Sequence, residues 1–147
     1  MGNVTGEMHV SELLIYADGA VTGNPGPAGV GVVICDADGN VLLTFSKPIG
    51  VATNNVAEYH ALITALEVAQ RYNPTRVVIH CDSELIVNRV NGGYTVRSPQ
   101  LLALHNKVLE LRQRLPHCII KYIPSAQNKR AHTLAQTAAL KSQVQGL

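Results

Sequence analysis

An apolar run that ends in one carboxylate, followed at once by a turn rich in glycine and proline, constrains this chain more than any other feature. Residues 13–17 predict a buried strand, because no polar side chain interrupts the run before Asp18. The glycines and prolines between residues 19 and 29 predict a reversal into a second apolar run, residues 30–35. A carboxylate at the end of a buried strand costs free energy unless something compensates it. Asp18 therefore either hydrogen-bonds to its own turn or belongs to a site shared with other segments.

Size and composition predict one domain with a single core. The chain has 147 residues, 46% of them hydrophobic, and we expect residues 1–11 to form a flexible tail and residues 12–147 a single domain. No apolar run is long enough to cross a bilayer, so we expect no membrane partner. A net charge of +2 permits a polyanionic partner, and we expect a monomer.

The N-terminus and the cysteines bear on localisation. No cationic segment followed by an apolar stretch opens the chain, which argues against a secretion signal. The three cysteines form no CxxC pair and lie in or beside apolar runs, as reduced core cysteines do. The sequence therefore predicts a cytoplasmic protein.

Three apolar runs near the N-terminus predict an antiparallel meander. Residues 30–35 and 41–45 flank residues 36–40, whose Asp, Gly and Asn side chains are typical of a hairpin turn. Asp36 and Asp38 in that turn are either a paired-carboxylate site or a solvated hairpin tip. The tip is favoured, because aspartates in turns hydrogen-bond locally.

The first long helix is predicted to begin beside Thr53 and to continue to about Arg71, since Thr and Asn are preferred N-cap residues. Glu58 is placed in its first turn and one turn before Leu62, which belongs to the apolar stripe. A glutamate there stabilises the helix dipole even when it points outward. Its place on the core-facing stripe indicates instead a carboxylate turned toward a site.

The next strand, residues 76–81, ends at Asp82. Strand, helix and strand at this spacing predict a parallel pairing with a right-handed crossover, which brings Asp82 to the same sheet edge as Asp18. Ligands of open α/β sheets bind at that edge. Asp82 is also a good N-cap for a predicted helix at residues 84–90, and the two roles are compatible.

The C-terminal half predicts two more helices, at residues 99–115 and 129–141, with a strand at residues 118–123 between them. Asn128 suits the N-cap of the last helix, and His132 falls in its first turn. Strands and helices thus alternate along the chain, which indicates an α/β fold.

Asp18, Glu58 and Asp82 are expected to meet at one edge of the sheet. Carboxylates held so close repel one another and need a polycation when ionised together. Hard divalent ions such as Mg²⁺ take carboxylate oxygens, water and substrate phosphates as ligands. Two-metal phosphodiester hydrolysis uses such an arrangement, so the sequence predicts two Mg²⁺ ions, or Mn²⁺, as cofactors.

Four segments in order resemble the motifs of type 1 ribonuclease H, over about residues 13–140. The resemblance implies a ribonuclease H-like fold: a five-stranded mixed sheet in the order 3-2-1-4-5, flanked by helices. It also implies an endonuclease that hydrolyses the RNA strand of an RNA–DNA hybrid duplex and leaves 5′-phosphate and 3′-hydroxyl ends. The matching residues are Asp18-Gly19 with residues 23–29, Thr53-Asn54-Asn55 with Ala57-Glu58-Tyr59, Asp82-Ser83, and Gln127-Asn128 with Ala131 and Leu134-Ala135.

The resemblance also implies roles for individual residues. Asp18 would bridge both metal ions, while Glu58 and Asp82 would each hold one, and Glu58 would also contact a ribose 2′-hydroxyl, the group that distinguishes RNA from DNA. Thr53 matches a residue that grips a phosphate of the DNA strand. The substrate-binding set implied by the likeness is Asn24, Thr53, Asn54, Asn55, Asn88 and Tyr94. Helix capping is the alternative for Asn54 and Asn55.

The main departure from the family is at the fourth carboxylate, where Ala-Asp-x-Leu-Ala is replaced by Ala131-His132-Thr133-Leu134-Ala135. We assign His132 to the catalytic and metal-binding set. A neutral imidazole suits Mn²⁺ better than Mg²⁺ and brings no negative charge, so weaker Mg²⁺ binding and a relative preference for Mn²⁺ are expected. The alternative is a helix-surface residue without a metal contact.

Two other departures concern substrate. The loop at residues 124–127 lacks the His or Arg that many relatives place there, and the chain lacks the basic, Trp-rich insertion of some members. Affinity for the hybrid is therefore expected to be modest and salt-sensitive. The first alternative function is a hybrid-binding module whose catalysis is weakened by His132. The second is a DNA-cutting nuclease of the same fold, against which the Thr-Asn-Asn and Gly-Asn-Pro-Gly motifs argue.

Overall fold

The computed structural model describes residues 10–93 and 95–145, and their helices and strands form one sheet with helices packed on both faces. Two short 3-10 helices, Gln70–Tyr72 and Ser125–Gln127, follow the first long helix and the last strand. In chain order the other elements are β1 (Glu12–Val21), β2 (Gly26–Cys35), β3 (Val41–Ala52), α1 (Asn54–Ala69), β4 (Arg76–Cys81), α2 (Glu84–Val90), α3 (Pro99–Gln113), β5 (Cys118–Tyr122) and α4 (Lys129–Gln145).

The sheet has five strands in the order β3-β2-β1-β4-β5, which confirms the predicted architecture. β1 pairs antiparallel with β2 and parallel with β4, so it is the central strand. The parallel pairing of β4 and β5 follows from a crossover that runs through α2 and α3. The sheet is therefore mixed, with both parallel and antiparallel ladders.

β1 extends further than the sequence predicted. Its ladder with β4 ends at the pair Ala17 and Cys81, whereas its ladder with β2 continues to the pair Val21 and Ala28. The prediction that the strand ends at Asp18 is wrong, because β2 continues to supply hydrogen-bonding partners beyond it. Asp18 consequently lies inside β1, at the first position where β4 no longer pairs with it.

The alternation of side chains along β1 determines which face each residue serves. Leu13, Ile15 and Ala17 are fully buried in the main core beneath α1. Leu14 and Tyr16 point to the opposite face, where they pack against a smaller cluster that includes Ala131 of α4. Asp18 continues this second series, so its side chain leaves the sheet on the α4 side.

Of the three helix caps predicted from the sequence, one is confirmed and two are wrong. Thr53 is the N-cap of α1, and its Oγ1 accepts a hydrogen bond from the Val56 amide, as expected. The N-cap of α2 is Ser83 and not Asp82, because the Ser83 hydroxyl accepts from the Ile86 amide. The side chain of Asn128 does not cap α4 either, since its amide NH₂ group points at other acceptors.

The turn between β2 and β3 is a solvated hairpin tip, as the sequence favoured, and not a paired-carboxylate site. Asp36 Oδ1 accepts hydrogen bonds from the backbone amides of Asp38 and Asn40. Neither aspartate belongs to the group of acidic residues whose possible ligand atoms lie close together. β3 itself is longer than predicted and carries register shifts near Ala28 and Ile34 of its partner strand. Asp36 thus stabilises a turn.

The first residues that the structure describes are hydrogen-bonded to the rest of the chain. The predicted tail, residues 1–11, falls mostly outside the described residues, but Val10 and Ser11 do hydrogen-bond to the chain around Tyr72 and Thr75. Among the helices that the structure describes, none is long and apolar enough to span a membrane.

Candidate active site

Asp18 is the central residue of the site. The residue is only 3% exposed, and its Oδ2 lies 2.6 Å from Nδ1 of His132. Burial, together with the charge of Asp82, raises the pKa of Asp18 from 3.8 to about 6, although the hydrogen bond with His132 opposes the rise. A buried carboxylate of this kind gains most from a neighbouring positive charge.

Glu58 reaches Asp18 from α1. The helix begins at Asn54, so Glu58 lies just beyond the first turn and not in it as predicted. It is 8% exposed, and its Oε1 accepts a 2.6 Å hydrogen bond from the backbone amide of Gly19. Burial raises the pKa of Glu58 well above its ordinary value, and the charge of Asp18 adds to this effect. The core-facing orientation, rather than the outward-pointing one, is confirmed.

Gly19 makes that approach possible. A Cβ added at Gly19 would lie 2.4 Å from the carbonyl carbon of Ala57 and 2.8 Å from the backbone nitrogen of Glu58. No side chain fits between β1 and α1 at this point. The glycine after Asp18 is therefore required for the close contact that brings the two carboxylates together.

Asp82 completes the cluster from the end of β4. Because Ser83 caps α2, the Asp82 carboxylate is not used as a cap, and its Oδ2 accepts a 3.2 Å hydrogen bond from Asn128 Nδ2. One ligand oxygen each from Asp18, Glu58 and Asp82 can be chosen so that all lie within 4.8 Å of one another. Three carboxylates this close, two of them buried, form a donor set that fits hard divalent cations.

His132 is in contact with the cluster but differs from its other members. Its side chain is 49% exposed, and Nδ1, one of its two possible ligand atoms, faces Asp18 Oδ2. It is not one of the three residues whose ligand atoms lie mutually within 4.8 Å. The structure thus places His132 beside the metal-binding candidates, bonded to one of them.

Two polar clefts meet at the start of α1. The first contains the acidic cluster, and Asn54, Asn55, Ser83 and Ser125 also line it. The second lies between the N-termini of α1 and α3, and it shares Asn54 and Asn55 with the first. Its remaining lining residues are Asn24, Thr53, Val56, Ser98, Gln100 and Leu101.

The predicted substrate residues fall into three groups. Asn24, Thr53, Asn54 and Asn55 are brought together, and Asn24 Oδ1 accepts a hydrogen bond from the Asn54 amide. Asn88 lies on α2 and lines neither cleft. Tyr94 lies outside the described residues.

Sequence reasoning missed several residues of the site. Gly19 was quoted as part of a motif without a structural role, and Asn128 was interpreted as a helix cap. Ser98 and Gln100 were not connected with the site at all, because their proximity to Thr53 depends on the packing of α3 against α1. The acidic residues and the motif at Thr53, Asn54 and Asn55 could be found from the sequence, whereas no local signal marks Ser98 and Gln100.

Comparisons with known proteins agree with this geometry. A profile of the family described as "Reverse transcriptase-like" matches residues 16–138. Bifunctional protein Rv2228c of Mycobacterium tuberculosis is 40% identical over 128 residues, which are 86% of this chain and 35% of that protein. This chain therefore spans little more than a third of the length of that relative.

Two further relatives are matched over nearly their whole length. The solved structure of LC11-RNase H1 in complex with RNA/DNA hybrid has a TM-score of 0.84 and 42% identity, covering 89% of this chain and 99% of that one. Ribonuclease H of Cereibacter sphaeroides is 33% identical in an alignment of length 144 that covers 86% of this chain and 94% of that protein. On these grounds the chain belongs to the ribonuclease H family.

Proposed function

We propose that the protein is a metal-dependent endonuclease that hydrolyses the RNA strand of RNA–DNA hybrids and leaves 5′-phosphate and 3′-hydroxyl ends. The observation that carries the proposal is the convergence of Asp18, Glu58 and Asp82, with ligand atoms within 4.8 Å of one another. The structure of LC11-RNase H1, 42% identical, holds an RNA/DNA hybrid, which supports the same substrate class here.

The proposed cofactors are two Mg²⁺ ions, or Mn²⁺. Asp18 would contact both ions, and Glu58 and Asp82 would each hold one. When bound, the ions supply the positive charge that activates a water molecule and stabilises the leaving 3′-oxygen. Burial of Asp18 and Glu58 disfavours their charged forms in the absence of a cation, so the site is built to gain from one.

The protein's own contribution is to hold these carboxylates in place. The Gly19 amide fixes Oε1 of Glu58, and His132 contacts Oδ2 of Asp18, so each of the two buried carboxylates has one oxygen engaged. His132 is proposed as the fourth member of the site. Its Nδ1 is occupied by Asp18, so only Nε2 remains to approach a cation, and an imidazole suits Mg²⁺ poorly.

The substrate-binding surface is proposed to be the pair of clefts around Asn54 and Asn55. The cleft between the N-termini of α1 and α3 has no charged side chain in its lining, which suits hydrogen bonds to sugars and phosphates rather than charge attraction. Thr53 is proposed to grip a phosphate of the DNA strand, and Glu58 a ribose 2′-hydroxyl that identifies the RNA strand. Asn24, Asn88 and Tyr94 are proposed to complete the contacts.

The proposed setting is a monomer in the cytoplasm. All three carboxylates come from one chain, so the site does not require a second copy. Cys35 and Cys81 are buried and free, as expected of a protein from a reducing compartment.

Cleavage of a hybrid with a labelled RNA strand, in Mg²⁺ and separately in Mn²⁺, tests the proposal. We expect cleavage within the RNA strand, none of a DNA duplex of the same sequence, and none by Asp18→Asn. Cleavage of the DNA duplex would favour the alternative of a DNA-cutting nuclease. Cleavage by Asp18→Asn at the wild-type rate would rule out the acidic cluster as the catalytic site.

A weakened hybrid-binding module is the second candidate, and the contact between His132 and Asp18 favours it. A histidine in place of a carboxylate removes negative charge exactly where cation binding needs it, so Mg²⁺ affinity is expected to fall. Hybrid binding without measurable cleavage in either metal would support this candidate over the enzyme.

A further inference from the structure

Asn128 is the least exposed of the buried polar side chains, at 1%. It lies between the 3-10 helix Ser125–Gln127 and the start of α4, and its backbone carbonyl accepts from the His132 amide. Its side chain does not take part in that helix start. The Nδ2 atom instead lies 3.0 Å from the carbonyl oxygen of Ala17 and 3.2 Å from Oδ2 of Asp82.

The orientation of this amide is determined by its neighbours. Both atoms that face it, a backbone carbonyl oxygen and a carboxylate oxygen, can only accept hydrogen bonds from it, so the NH₂ group must be the side that faces them. An amide turned the other way would place three oxygen atoms together. The opposite atom, Asn128 Oδ1, is buried without a hydrogen-bond partner.

An unsatisfied buried acceptor costs free energy, commonly about 1–3 kcal/mol. A chain that keeps one beside its acidic cluster is expected to gain something from the two hydrogen bonds on the other side of the same amide. Helix capping is not that gain, because a cap would require Oδ1 to accept from the backbone of α4.

The two acceptors mark the point where β1 and β4 separate. The ladder between these strands ends with the pair Ala17 and Cys81, and the next residue on each strand is one of the clustered carboxylates, Asp18 and Asp82. Asn128 therefore joins the strands by a side chain where their backbone pairing stops. Without this link nothing in the ladder would fix Asp82 relative to β1.

We propose that Asn128 is a positioning residue, which holds Asp82 by its Oδ2 so that the carboxylate faces Asp18 and Glu58 and can share a divalent cation with them. This proposal rests on the proposed function of the acidic cluster. Asn128 is not among the residues that line the cleft of the acidic cluster. It acts through Asp82, and residues that orient metal ligands in this way commonly change metal affinity by 10–100-fold when removed.

The test compares Asn128→Ala with Asn91→Ala in the full chain. Asn91 is the control, because its Nδ2 also donates to a strand carbonyl, that of Ile120 at 2.9 Å, whereas Asn91 is exposed and does not belong to the cluster. We expect Asn128→Ala to weaken Mn²⁺ binding, measured by titration calorimetry, by about 10-fold or more. We expect Asn91→Ala to bind Mn²⁺ as the wild type does, although both variants lose thermal stability in EDTA.

Equal Mn²⁺ affinity of folded Asn128→Ala and wild type would overturn the positioning role while leaving the proposed function intact. If the wild type itself bound no Mn²⁺, the proposed function would fail, and this inference with it. The two failures are thus told apart by the wild-type titration alone.

A measurement on the wild type covers the case in which Asn128→Ala does not fold. Mg²⁺ is titrated into ¹⁵N-labelled protein, and the side-chain NH₂ resonances of Asn128 are followed together with the backbone amide of Gly19. We expect both to shift with the same midpoint, because each donates to a carboxylate of the cluster. A shift of the Gly19 amide while the Asn128 side chain stays unchanged would contradict the proposal.

Discussion

At the scale of single residues, the site is held together by groups that would repel one another in isolation. Burial raises the pKa of both Asp18 and Glu58; the charge of Asp82 adds to the rise at Asp18, and the charge of Asp18 adds to the rise at Glu58. Each nevertheless has a donor: Glu58 has the Gly19 amide, and Asp18 has the His132 ring. In the absence of a cation these contacts compensate the repulsion only in part, which makes the stability of the metal-free protein depend on pH.

Removing the charge of Asp18 is expected to stabilise the metal-free protein. The pKa of Asp18 rises from 3.8 to about 6 on folding, so the stability of the wild type in EDTA falls as pH increases through that window. A pKa difference of this size corresponds to about 3 kcal/mol. Asp18→Asn lacks this loss, so its free energy of unfolding should exceed that of the wild type at pH 7.5 and approach it near pH 4.

Urea unfolding of both proteins in EDTA, from pH 4 to pH 8, measures the difference. Saturating Mg²⁺ serves as the control, because cation binding should stabilise the wild type and not Asp18→Asn. A stability difference that does not change with pH would contradict the assignment of a raised pKa to Asp18.

Restoring the carboxylate at position 132 is expected to change the metal preference. His132→Asp adds a hard anionic oxygen beside Asp18, and the Mg²⁺ concentration at half-maximal cleavage should fall by about 10-fold. Thr133→Asp, one residue further along the exposed side of α4, adds the same charge without facing Asp18. The cleavage rate is measured against Mg²⁺ and against Mn²⁺ for each variant. An unchanged Mg²⁺ dependence in His132→Asp would show that position 132 does not influence cation binding.

At the scale of elements, the site depends on how closely α1 approaches β1. Gly19 leaves no room for a side chain, since an added Cβ would lie 2.4 Å from the Ala57 backbone. Gly29 has the same function on the other face, where an added Cβ would lie 2.4 Å from Ala138 of α4. Two helices are thus seated on the sheet by glycines, but only α1 carries a member of the acidic cluster.

The pair Gly19→Ala and Gly29→Ala separates the effect on the fold from the effect on the site. Both substitutions should lower the free energy of unfolding, by about 1–3 kcal/mol, since each forces a helix away from the sheet. Gly19→Ala displaces Glu58, so it should lower Mn²⁺ affinity and hybrid cleavage by about 10-fold or more. Gly29→Ala displaces α4 near Ala138 and not at His132, so its effect on Mn²⁺ affinity should be smaller. Denaturant unfolding and calorimetry on both proteins provide the comparison. If Gly29→Ala lost as much Mn²⁺ affinity as Gly19→Ala, the loss would come from general disturbance of the fold and not from displacement of Glu58.

The elements also show what the sequence could and could not predict. The order of strands and helices, the burial of Glu58 and the meeting of Asp18 with Asp82 followed from local apolar patterns and the handedness of the crossover. The end of β1 and the caps of α2 and α4 did not, because they depend on partners distant in sequence. Asn128 illustrates the difference: its type suits a cap, but the side chain is drawn to two acceptors that only the tertiary fold supplies.

At the scale of the whole molecule, little positive charge is available for the substrate. The net charge is +2, and the cations near the region where some family members carry a basic insertion are Arg97, Lys107, Arg112 and Arg114. Arg112 donates to the carbonyls of Cys118 and Val90, and Arg114 pairs with Glu110 at 2.7 Å. Of these four, Arg97 and Lys107 are the two with neither an ion pair nor a side-chain hydrogen bond among the described residues.

Hybrid binding should therefore weaken as salt is added, as expected from the sequence, with a slope set by these few cations. Two phosphate contacts predict a slope of about −2 in a plot of log K against log salt concentration. Anisotropy titrations with the cleavage-deficient Asp18→Asn protein measure it. Arg97→Ala should reduce the magnitude of the slope by about 1, while Arg114→Ala should leave it unchanged because Arg114 is already paired with Glu110. A slope steeper than about −4 would mean that other cations contact the hybrid.

The most direct test of the central claim is a crystal structure of the protein grown with Mn²⁺, with anomalous scattering recorded at the manganese edge. We expect anomalous peaks between the carboxylates of Asp18, Glu58 and Asp82, where ligand atoms from three separate elements lie within 4.8 Å of one another. Crystals of Asp18→Asn grown with the same Mn²⁺ concentration should show weaker peaks or none. Crystals saturated with Mn²⁺ that show no peak at these three side chains would contradict the account.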